Sequence, residues 1–181
     1  MDPFLARVSK LLRDRRTGAL GTLHDGAPSV SMVPFALVPG AALVHVSGLA
    51  AHTRDLERDP RASLLVCEAE EGAADLRALE RVTLQVEARV LRPEDPAHAA
   101  GRAAYLERFP DSGSIFDLGD FHLVALEFKG ARAVLGFAQA RTFTAEDLRE
   151  AFGGSVETRS SRMAHTMMFI LSIMCILSIY L

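Results

Sequence analysis

His52, Thr53 and Arg54 are adjacent, and Arg58 lies one helical turn beyond them. A hydrophobic run over residues 41–46 leads into this stretch, a second over 62–66 leaves it, and Pro60 stands between. The pattern predicts strand, short helix, strand, with hydroxyl and cationic groups gathered where the helix begins. A helix N-terminus leaves backbone N–H groups without intrahelical partners and carries partial positive charge, so it attracts phosphate. Residues 47–60 are therefore predicted to hold the phosphate of a nucleotide-type cofactor. A blander reading stands beside this one: Thr53 as a helix N-cap, and the two arginines as solvated charges.

The other reactive residue types carry less. His24, His45, His52, His98, His122 and His165 are scattered without metal-ligand spacing, so no metal site is expected. A lone histidine is more often structural than functional. Cys67 and Cys175 make no disulfide or zinc framework, which fits a reducing compartment. Cys67, beside Val66, reads as a core thiol. The chain contains no Gly-x-Ser-x-Gly elbow, no Walker loop and no dinucleotide fingerprint. No nucleophile stands with an evident base. If the chain is an enzyme, the reactive chemistry belongs to a bound cofactor that the protein binds and orients.

These residues must be positioned by a chain of 181, enough for one domain with a proper core. A hydrophobic fraction of 49% excludes a disordered chain. The net charge of -3 argues against a nucleic-acid partner, and the basic residues are mixed with acidic ones. Residues 1–16 are amphipathic and charged, so no signal peptide is read there and a cytoplasmic location is expected. Composition changes near Arg162: residues 167–181 carry no charge and four of the five isoleucines. Fifteen helical residues span only about 22 Å, short of a ~30 Å hydrocarbon core. The expected division is a domain over 1–153, a linker over 154–166 and an apolar tail over 167–181. The tail is a short membrane anchor, a helix buried against a partner, or a segment foreign to the domain. Membrane contact is expected only through it.

Phe4, Leu5, Val8, Leu11 and Leu12 share one face of an N-terminal helix. A strand over 17–23 meets the turn signal Asp25-Gly26, and a strand over 29–38 follows, its Pro34 marking an edge or bulge. Residues 81–91 alternate cleanly, with Val82, Leu84, Val86, Ala88 and Val90 inward. A helix is predicted over 93–109, then a strand over 121–128, a turn at Lys129-Gly130 and a last strand over 131–137. A short helix capped by Thr144 closes the domain. About seven strands without regular strand–helix alternation predict a mainly β fold: a small, mostly antiparallel barrel with peripheral helices.

The order of these pieces carries a resemblance. RTGALGTLHDGAPSVSMVPFAL, SGLAAHTRDLERDPRASLLV, LERVTLQVEARV and DFHLVALEFKGARAVLGFAQARTF together resemble the pyridoxamine 5′-phosphate oxidase-like, FMN-binding split-barrel family, and within it the haem-utilisation branch. The resemblance covers roughly residues 8–148, and its most specific part is HTR-x-L-x-x-DPRASLLV. It implies a homodimer with two flavin sites at the interface and a small-molecule substrate. It implies that Ser31, Met32, Val33 and Pro34 line the flavin ring, that Ser47, His52, Thr53 and Arg54 hold the phosphate, and that Arg81 and Thr83 reach the cofactor. FMN is the first cofactor expected, with an oxidoreductase activity; haem, bound or degraded without flavin, is the alternative. Pyridoxamine phosphate oxidation itself is not expected, because the chain has no Trp and lacks the basic C-terminal motif. The usual Ser-Arg-Lys phosphate segment is replaced by His-Thr-Arg. Haem-degrading members carry a C-terminal histidine ligand, for which His165 is the remote candidate.

Overall fold

The computed structural model describes residues 2–73, 75–136 and 139–153. The linker over 154–166 and the tail over 167–181 lie outside that range. In chain order the elements are α1 (Pro3–Asp14), β1 (Thr17–His24), β2 (Ala27–Pro34), β3 (Ala36–Val38), β4 (Ala41–Ser47), α2 (Ala51–Arg58), β5 (Arg61–Cys67), β6 (Arg81–Leu91), α3 (Pro96–Arg108), β7 (Phe121–Val134), β8 (Ala140–Thr144) and α4 (Ala145–Gly153). Two 3-10 turns, Leu76–Ala78 and Pro110–Asp117, fill the longer connections.

The strands form one antiparallel sheet in the order β2-β1-β5-β6-β7-β4-β3, with β8 added beside β7. Its two edge strands, β2 and β3, are consecutive in sequence and separated only by Phe35, yet they do not pair. Pro34 ends β2 and has no N–H to donate, so the ladder stops there and the barrel is split along this seam. The predicted single strand over 29–38 is thus two strands; the two predicted over 121–128 and 131–137 are one, β7, and β8 was not foreseen, so the described residues hold eight strands where seven were expected. The β1–β2 hairpin turns at Asp25 and Gly26, both at positive φ (49° and 84°), the conformation a two-residue hairpin needs.

The turn expected at Lys129-Gly130 does not form. β7 runs straight through, pairing its first half with β4 and its second half with β8, while β6 follows its whole length past a bulge at Gln85/Val86. Gly130 serves close approach: an added Cβ would stand 3.0 Å from Gln85 Oε1 and 3.3 Å from the Phe143 carbonyl.

Inward residues such as Leu20, Leu64, Leu84, Leu126 and Phe128 fill the barrel, and Leu5, Val8 and Leu12 of α1 with Leu148 and Phe152 of α4 pack on the same core. A second core, Leu43, Leu91, Leu123 and Tyr105, lies under α3. Thr144 and Asp147 cap α4 reciprocally, the Thr144 N–H donating to Asp147 Oδ2 at 2.7 Å and the Asp147 N–H to Thr144 Oγ1 at 3.2 Å. Among the described residues no helix is long and apolar enough to cross a membrane.

Candidate functional site

The corner after β4 is held by a small polar cluster. Ser47 Oγ donates to Asp120 Oδ2 at 2.9 Å and accepts from the Leu49 N–H at 3.1 Å, while the Gly48 N–H donates to the Asp120 carbonyl at 2.6 Å. Gly48 has little room for a side chain, since a Cβ there would lie 3.1 Å from His122 Nε2 and from the Asp120 carbonyl. α2 begins one turn later, with Ala50 at its N-cap and no side-chain cap. The N–H groups of its first turn are therefore not claimed by a capping side chain, the condition under which a helix start can accept an anion.

Thr53 is not the cap. The helix starts before it, and Thr53 sits inside with 2% exposure, its hydroxyl donating to the Ser47 carbonyl at 2.7 Å. A hydroxyl has one proton, so here Thr53 latches α2 to the end of β4 instead of offering a donor to a ligand. Arg54 is exposed, and its side chain makes no hydrogen bond or ion pair with another described residue. His52 is half-buried, and burial, opposed by Asp55, lowers its imidazole below the ordinary value and favours the neutral ring.

Asp55 was not singled out in the sequence, although it stands three residues after His52 and shares its helical face with Leu56. It is 1% exposed. His24 Nδ1 lies 2.8 Å from its Oδ1, and Thr22 Oγ1 donates to its Oδ2 at 3.0 Å. The bond with His24 first, then that from Thr22, outweighs burial and holds the carboxyl below its ordinary 3.8. The stability this supplies is full above that value and is lost as pH falls through the lower folded value. Thr22→Val removes one donor from a buried carboxylate and should cost about 1–3 kcal/mol in urea unfolding at neutral pH. A change below ~0.5 kcal/mol would show that water replaces the hydroxyl.

Met32, Pro34, Arg81 and Thr83 fall on the outer side of the sheet, and register shows which residues they meet. Met32, Ala19, Leu65, Thr83, Arg132 and Thr142 form one row across β2, β1, β5, β6, β7 and β8. The row beside it begins Val30, Gly21, Ser63 and Gln85. Arg81 lies one row to the other side, opposite Cys67, and donates from Nη1 to the Leu79 carbonyl at 3.1 Å. Val33 points into the barrel, so only its backbone is available; Ser31 is half-buried and Pro34 exposed. Cys67 is exposed, not a core thiol: Leu64 and Val66 take the inward positions, and alternation turns Cys67 outward. Val30 and Met32 are 70% and 75% exposed. At Gly21 an added Cβ would stand 2.8 Å from Ser63 Oγ, so the surface between the strands is kept low and flat.

An open eight-stranded antiparallel sheet, split between consecutive edge strands and flanked by four helices, is a split barrel. The chain belongs to the pyridoxamine 5′-phosphate oxidase family, whose model matches residues 4–135. It is 37% identical over 149 residues to the chloroplastic non-canonical heme oxygenase HOZ of Arabidopsis thaliana, covering 80% of this chain and 44% of that protein. It is 32% identical to heme oxygenase HutZ of Vibrio cholerae, covering 78% of this chain and 81% of that one. Among solved structures it is similar to a heme binding protein from Mycobacterium smegmatis, with TM-score 0.74, 33% identity, and coverage of 83% of this chain and 62% of that one. The chain thus spans less than half the length of the Arabidopsis relative. These relatives are named for haem, the second of the two cofactors expected from the sequence; none of the three is named for FMN.

Proposed function

We propose that this chain is a haem-binding protein of the haem-utilisation type, acting as a homodimer. The observation that carries the reading is its 32% identity across 81% of a haem oxygenase of similar architecture. The outer face of β1, β2 and β5 suits the ligand. Met32 and Val30 stand exposed beside Ala19, Gly21 and Ser63, giving a planar macrocycle a flat apolar wall. Arg132 in the Met32 row and Arg54 at the uncapped start of α2 are the cations available for propionates. A second copy of the chain would cover what one copy leaves bare. Haem supplies redox and oxygen chemistry at its iron when bound; the chain's part is to hold its face and its carboxylates. His165, the C-terminal ligand that the resemblance points to, lies outside the described residues.

Purified protein mixed with haemin should develop the strong haem band near ~400 nm and saturate at one haem per chain or per dimer. A flavin band near ~450 nm in the protein as isolated, with no haem band on titration, would return the chain to the FMN reading. Arg54→Ala should weaken haem about 10- to 100-fold, the loss of one charge-assisted contact, with the melting temperature unchanged. Unaltered affinity would make Arg54 a solvated charge.

A further inference from the structure

A pocket of about 360 Å³ opens between β4, the end of β6, α3 and the 3-10 turn after it, and no residue of β1, β2 or β5 lines it. Its walls include His45, Arg92, His98, Arg102, Phe116 and His122, and no Asp or Glu. The guanidinium groups of Arg92 and Arg102 make no hydrogen bond or ion pair with a described residue, whereas those of Arg7, Arg58, Arg61, Arg77, Arg89 and Arg141 each pair with a carboxylate. Two arginines on the wall of one cavity, with no carboxylate lining it to neutralise them, favour an anion there. The floor is aromatic. His45 stacks on Phe116 with centroids 3.8 Å apart and planes 10° from parallel, and Arg102 lies over the same Phe116 ring at 5.0 Å. Burial first, then the neighbouring His122, Arg102 and His98, pushes the His45 imidazole down to about 4, so at neutral pH the stacked pair is an uncharged platform. Among the described residues no group of histidines, cysteines and acids is arranged to hold a metal ion.

We propose that this pocket binds a small aromatic carboxylate, its ring beside the stacked Phe116–His45 pair and its carboxylate on Arg92 and Arg102. A guanidinium fork matches a carboxylate in two parallel hydrogen bonds, and ligand cavities run from about 300 to 1,000 Å³, so this one takes a single ring. The pocket shares no lining residue with the outer face of β1, β2 and β5, and the proposal does not rest on the haem reading.

The full-length chain is titrated with benzoate, and separately with inorganic phosphate, at constant ionic strength, while NMR follows the imidazole signals of His45, His98 and His122. Benzoate should shift them saturably. Arg102→Gln and Arg92→Gln should each weaken benzoate about 10- to 100-fold. If Arg102→Gln lowers the melting temperature, Arg92→Gln, at an exposed site beyond the end of β6, carries the test. Shifts that never saturate, or that both variants leave unaltered, would overturn the proposal. Phosphate binding as tightly as benzoate would overturn the role of the ring.

Discussion

Met32→Glu is expected to leave the fold intact, yet convert the protein to a monomer and remove haem binding with it. Met32 is 75% exposed in the single chain, so a glutamate there costs folding little. The same residue lies at the sheet edge of the Met32–Ala19–Leu65–Thr83 row, on the bare face that a second copy is proposed to cover. A carboxylate buried in that contact without a partner must be desolvated or protonated. The dimer dissociation constant should rise at least ~100-fold, about 2.8 kcal/mol. Sedimentation across a concentration series reads the change, and thermal unfolding checks the fold. A Met32→Glu protein as dimeric as its parent would place the interface elsewhere and detach haem binding from this face.

Phe35→Ala should be the most destabilising single change near the seam. Phe35 is fully buried between the two edge strands, and its N–H donates to the Arg16 carbonyl at 3.0 Å. The Arg108 guanidinium lies 5.9 Å from its ring centroid and donates to the Arg13 carbonyl at 2.9 Å and to the Arg15 carbonyl, closing the C-terminus of α1. Truncating the ring leaves a cavity where β2, β3, α1 and the end of α3 meet. The cost should be about 3–5 kcal/mol, a fall in melting temperature of about 6–20 °C for a domain of this size. Phe35→Leu should recover most of it. A loss below ~1 kcal/mol for the alanine variant would mean that the split seam collapses onto the vacancy.

Where a pattern is local, the chain alone was readable. β6 occupies the alternating run Arg81–Leu91, because strict period-two patterning over eleven residues suits only a half-buried strand. Asp25-Gly26 makes its hairpin and Thr144 its cap, because each needs only residues within a few positions. Pro34 marks the edge strand for the same reason: a missing N–H is a property of one residue. The grouping of Ser47, His52, Thr53 and Arg54 at one corner was likewise legible, since a strand running into a helix keeps them together.

What stayed hidden depends on partners far away in sequence. Gly130 reads as a turn until β8 is seen packing its backbone against it. Cys67 looks like a core thiol until β5 is placed with Leu64 and Val66 inward. Thr53 looks like a cap until the Ser47 carbonyl takes its proton. Asp55 acquires its meaning from Thr22 and His24, which only the packing of α2 on β1 brings to it. Residue order by itself determined β1, β4, β5 and β6, the short helices and the strand-to-helix corner at Ser47–Arg54, because dihedral preference, alternation and capping act over a few residues. Strand order decided the rest. Pairing β1 with both β2 and β5 lines up Met32, Ala19, Leu65 and Thr83 on one bare face, and such a row exists only once segments distant in the chain lie side by side.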